Sequence, residues 1–185
     1  QAFDHKDLKL AESILPKARK NIDSISGGDA NQVRRINAVM QIIDGSMIEG
    51  TKPAMALEHF KLALKDLEGV HQALPDHIAI RSRISHYALK SAAIAESLDL
   101  FDDAAKLRSE AAGHLRSILK KNPELKVAKI DLAKIEILSA ESDMRAGNDT
   151  QGAAKLKVAE ALLAGLSTDD ISPNGVSMQI ATAMG

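Results

Sequence analysis

The residues able to do chemistry are six histidines, a knot of aspartates and a scatter of hydroxyls. The histidines stand at 5, 59, 71, 77, 86 and 114. A helical zinc site needs two of them one turn apart, as in H-E-x-x-H. No two here are spaced i, i+4. His71 and His77 flank one short linker but bring no further ligand. Asp99, Asp102 and Asp103 cluster, yet a calcium loop needs alternating oxygen ligands, a mid-loop glycine and a distal glutamate. The run Asp99-Leu100-Phe101-Asp102-Asp103 lacks that pattern. Asp102 and Asp103 fall instead in the first turn of an expected helix, where carboxylates are favoured by the dipole. Serines and threonines are numerous, but none sits in a nucleophile motif such as G-x-S-x-G. Cysteine is absent, which excludes thiolate metal sites, disulfides and cysteine nucleophiles. The sequence therefore assigns no catalytic, cofactor-binding or metal-binding residue, and the expected function is non-enzymatic.

Recognition is the chemistry that remains. Arg34, Asn37 and Gln41 are spaced to share one face of a helix, as are Arg83, His86 and Lys90, and then Lys126 and Lys129. Together they form a mildly basic strip in a chain of net charge −1. The same spacing also fits an ordinary solvated face. Charges of both signs are interspersed along the chain and the pI is about 6.7. Nothing in that balance marks a nucleic-acid or acidic-membrane surface. No apolar run approaches the roughly 18 residues of a membrane span. Cytoplasm and periplasm both stay open as locations. A chain that begins at Gln1 reads as a piece cut from a longer protein.

The elements that would carry these residues are helices. Hydrophobic residues make up 45%, enough for a continuous core, while aromatics are only 2%. An aliphatic, alanine-rich core suits close helix packing and argues against a β-sandwich or barrel. Apolar periodicity places helices over 7–25 (with Pro16 inside), from Asp29 to Gly50, from Pro53 to about Gly69, and from Pro75 to about Leu98. Further helices follow from about 102 to Lys121, from Pro123 to about Met144, and over 150–166, and Pro173 opens a partial last one. Val127, Ile130, Ala133, Ile137, Ala140 and Met144 share one apolar stripe, and Gly45 is a tolerated glycine within a helix.

One pattern recurs. Ala56, Phe60, Ala63 and Leu64 lie at offsets 0, +4, +7 and +8, a single helical stripe. Ala11, Leu15 and Ala18 repeat it, and so do Ala154, Val158, Ala161 and Leu162. Ala104 and Ala111 hold the small positions of another copy, in which Arg108 replaces the large residue. The leading alanines are 45, 48 and 50 residues apart (56−11, 104−56, 154−104). Pro75, Pro123 and Pro173 each follow a second alanine by 12 residues (63, 111, 161). Repeats of that length mean a helical array. The expected architecture is all-α, an α-solenoid of antiparallel helix pairs forming one helical-repeat domain over 1–185.

The small-x3-large-x2-small-large pattern, with proline before the next pair, resembles the tetratricopeptide repeat. Ala56, Phe60, Ala63 and Leu64 match best, and the likeness covers the chain. The period of 45–50 departs from the family's roughly 34 residues. Long repeats of this style also look like the C-terminal or sensor regions of bacterial serine/threonine kinases and winged-helix regulators. The resemblance implies that the first helices of the pairs line a concave surface. Arg34, Asn37, Gln41, Arg83, His86, Lys90 and Lys129 would then form a groove for a protein or peptide partner, acidic or carboxylate-ended. It implies a non-enzymatic interaction (scaffold) module of a larger bacterial signalling or regulatory protein. The alternative is a ligand- or peptide-sensing domain of a kinase or transcription regulator. A truncated array also exposes apolar end faces, a route to a homodimer through its end helices.

Overall fold

A computed structural model describes residues 29–167. Within them the chain forms six α-helices and no strand. They are α1 (Ala30–Ile48), α2 (Pro53–Ala73), α3 (Ile78–Ser97), α4 (Phe101–Lys121), α5 (Lys126–Arg145) and α6 (Asp149–Leu163). The expected helices over 7–25 and beyond Pro173 lie outside the described residues, as do Ala11, Leu15 and Ala18.

The helix ends have local causes. The Asp29 carboxylate accepts from the Asn31 N–H (3.0 Å) and caps α1. Pro53 takes the first turn of α2, where its missing N–H costs nothing. Pro75 and Pro123 were expected to open helices in the same way, but each helix starts three residues later. They sit instead at the second position of tight turns, closed by His77 N–H to Leu74 O and Leu125 N–H to Asn122 O, each 3.1 Å. A fixed φ near −65° suits that place as well as it suits a first helical turn. The helix expected to end at about Gly69 runs on to Ala73 as α2. Asp102 and Asp103 do lie in the first turn of α4, and Lys120 and Lys121 in its last.

The starts are periodic. The odd helices begin at 30, 78 and 126, the even ones at 53, 101 and 149, so 48 residues separate successive members of each series (78−30, 126−78; 101−53, 149−101). α1 packs on α2, α2 on α3, and α5 on α6, an arrangement compatible with a helical repeat.

Two units emerge, 1–104 and 105–185. In the first, α1 packs on α2 and α2 on α3. Ala56, Phe60 and Ala63 are wholly buried and Leu64 nearly so. Gly45 is more than tolerated: a Cβ there would stand 3.0 Å from the Phe60 ring and 3.2 Å from Ala56 O, so its lack of a side chain sets how closely α1 meets α2.

In the second unit α5 packs on α6 through Ile130, Ala133, Ile137, Ala159 and Leu163. The expected α6 stripe is wrong here. Ala154, Val158 and Ala161 are exposed. The buried stripe is Gly152, Ala159 and Leu163, with Leu156 packed against it. A Cβ on Gly152 would stand 2.6 Å from Met144 Cγ and 3.1 Å from Ala140 O. Glycine plays the small residue that the pattern sought as alanine. With that register the leading small residues, 56, 104 and 152, are also 48 apart (104−56, 152−104). Val127 is likewise exposed rather than inward. The rest of the α5 stripe buries Ile130, Ala133, Ile137 and Ala140, but the opposite side buries Ala128, Leu132 and Ile135 too.

Candidate functional site

The strip residues of the first unit do not all face the same way. Arg34 reaches back to α2, its Nη1 donating to Gly69 O at 3.4 Å. It also lies near Asp66, whose pKa burial raises above the usual carboxylate range while the Arg34 and Lys65 charges pull it down. Asn37 is half-buried. Gln41 Oε1 stands 2.7 Å from Nδ1 of His59 on α2. Helical spacing therefore turns this part of the α1 strip toward its own partner helix. Lys90 is engaged as well: its Nζ is 2.6 Å from Glu49 and 5.0 Å above the Phe60 ring. His86 is exposed and meets Tyr87 edge-on at 4.9 Å. In the second unit Lys129 pairs with Glu124 at 3.2 Å.

Arg83 is different. It lines a groove of about 480 Å³ with the outer face of α1 and the turn after α2. Ile36, Val39 and Leu74 give the groove apolar contact surface, and Val39 and Leu74 are both about 40% exposed. Arg35 and Arg83 supply two cations against one carboxylate, Asp29, which is already committed to capping α1. Gln32, Arg35, Ile36 and Val39 stand at i, i+3, i+4 and i+7, so α1 alone aligns them. Tyr87, one helical turn beyond Arg83, has its pKa raised by burial, and the Arg83 charge opposes that shift.

No protein-family model matches the chain, and no curated protein or solved structure matches it either. The chemistry must therefore be read from these residues alone. Among the described residues no three His, Asp or Glu side chains could hold a metal ion together, and no helix is long and apolar enough to cross a membrane. The groove offers apolar surface and two guanidinium groups in one lining. That combination suits an extended chain that carries an apolar side chain and a carboxylate. Arg35 is absent from the expected strip because the i, i+3, i+7 spacing of Arg34, Asn37 and Gln41 picks out the neighbouring face of α1. The available signal was Val39, an apolar residue outside the buried set of α1.

Proposed function

We propose that the chain is a tetratricopeptide-like α-solenoid that serves as a protein-interaction module of a larger signalling or regulatory protein, without catalysis of its own. The observation that carries the reading is the groove lined together by Arg35, Arg83, Ile36, Val39 and Leu74. The recurrence of helix starts every 48 residues supports the repeat architecture.

The partner that fits is an extended peptide with an apolar residue beside acidic ones or beside its own terminal carboxylate. Arginine forks match carboxylates in two-point contact, and apolar contact adds affinity that salt does not screen. Ordering a flexible peptide opposes binding, so the affinity is modest.

The test is a titration of fluorescent peptides that present an apolar residue flanked by aspartate or glutamate. Binding should weaken as salt rises, because exposed charges are screened beyond about 8 Å at physiological ionic strength. Changing Arg35 and Arg83 together to glutamate should abolish it. Equal binding by that double variant, or equal binding of the amidated peptides, would rule the groove out.

A further inference from the structure

The second unit holds a cavity of a different kind. Its volume is about 160 Å³, and α4, α5 and α6 contribute to it. Arg108 and Glu136 line it although each is about 97% buried. Arg108 Nη2 donates to Ser142 Oγ at 2.9 Å. Glu136 accepts from Arg116, and Lys155 Nζ lies 2.6 Å from Asp143.

The 48-residue register shows what these residues replace. Arg108 stands where the preceding repeat has Phe60, Glu136 where it has Ala88, Ser142 where it has Ile94, and Lys155 where it has Leu107 (108−60, 136−88, 142−94, 155−107). All four of those counterparts are buried apolar residues. Polar groups therefore line one cavity at four positions where the fold accepts ordinary packing. Burying charge there costs stability that apolar residues would supply. The cavity lining carries three cations and two carboxylates, an excess of one positive charge.

We propose that this cavity is a binding site for a small organic monocarboxylate. The basic lining favours an anion over a neutral molecule, and guanidinium groups present the planar donors that a carboxylate matches. Size sets the upper limit: a cavity of about 150 Å³ accommodates a benzene-sized molecule. The ligand therefore has about six to eight heavy atoms, and the Ser142 hydroxyl can meet a polar substituent on it. The site is independent of the peptide groove, which belongs to the other unit, so either can fail alone.

The experiment is a calorimetric titration and a melting curve of the 185-residue chain with L-lactate, at constant ionic strength. Lactamide serves as the neutral probe and inorganic phosphate as the inorganic anion. The expected result is saturable lactate binding with a concentration-dependent rise in Tm, no response to lactamide, and at least tenfold weaker phosphate binding. Arg108→Met should abolish the response while circular dichroism stays helical. Should that variant fail to fold, Lys155→Met carries the test, because its half-exposed side chain is not part of the packing. It should weaken lactate at least tenfold. Absence of lactate binding overturns the proposal. So does phosphate binding of equal strength, which would mark a general anion site, and so does lactate binding unchanged in the folded variants.

Discussion

Phe60 and Arg108 occupy corresponding places in successive 48-residue windows, and the two regions around them are built on opposite principles. Phe60 is fully buried, stacks on Tyr87 with ring centroids 5.9 Å apart, and closes against Gly45 of α1. Arg108 is as deeply placed but ends on a serine hydroxyl in a polar cavity. The contrast teaches that a repeat constrains volume and direction more tightly than chemistry. A long side chain rising from this helical position is what both places require. One region fills the space with an aromatic ring, while the other spends it on a guanidinium group and an open volume.

The largest expected effect breaks the apolar side of that comparison. Phe60→Ala removes a ring from a closed contact and should cost about 3–5 kcal/mol. The chain has one tyrosine and no tryptophan, so its intrinsic fluorescence reports Tyr87 and hence the first unit alone. Urea unfolding followed at that signal should show the loss. An unchanged midpoint would mean that the stack adds nothing to stability.

A second prediction tests the register of α6. Gly152→Ala gains up to about 1 kcal/mol in helix propensity, but its Cβ would press on Met144 Cγ and the Ala140 carbonyl. Overpacking of that kind costs about 1–3 kcal/mol and should win. Ala161→Leu, on the exposed side, should stay within about 0.5 kcal/mol of the parent. Thermal unfolding of the two variants decides between the glycine register and the alanine one.

On the polar side, Arg116→Met leaves the buried Glu136 carboxylate without that donor and should cost about 1–3 kcal/mol. Glu136→Ala, which restores the residue type found at Ala88, should cost less than Arg116→Met. If the order reverses in chemical denaturation, the charge is part of the structural framework and not an addition to it.

The smallest effect depends on pH. Burial raises the Asp66 pKa in the folded chain. A carboxyl so raised favours the protonated form on folding, so it opposes stability above its folded pKa and ceases to do so below its unfolded value. Asp66→Asn should therefore melt slightly higher than the parent at neutral pH. The gap should close as pH falls through the folded pKa toward the ordinary aspartate value near 3.9. A gap that widens on acidification would contradict the assignment.

Much of the fold was legible because its causes are local. Apolar spacing, the Asp29 cap, the glycine stops and the prolines located six helices to within a few residues of their ends. The recurring small residues gave the period only as 45 to 50, and the helix starts set it at 48. The candidate groove was less legible. Arg83 was on the basic strip, but Arg35 was not, and Arg34 and Gln41 turned out to face α2. One-helix spacing says which residues share a face and is silent about which faces meet another helix.

The sequence by itself determined the helices, their order and the recurrence of a small-large-small stripe, since these follow from steric and hydrogen-bonding preferences acting within about a turn of chain. Tertiary structure decided the rest. It chose Gly152 over Ala154 as the contact in α6, against helix propensity, because a Cβ at 152 would press on Met144 and the Ala140 carbonyl. It laid Arg34 along α2, against Gly69, and left Arg83 in a groove. It placed Arg108, Glu136, Ser142 and Lys155 around one cavity, although 47 residues separate the first from the last (155−108). Charges so far apart in the chain meet only when helices pack, and the packing is fixed by the apolar residues around them rather than by the charges themselves.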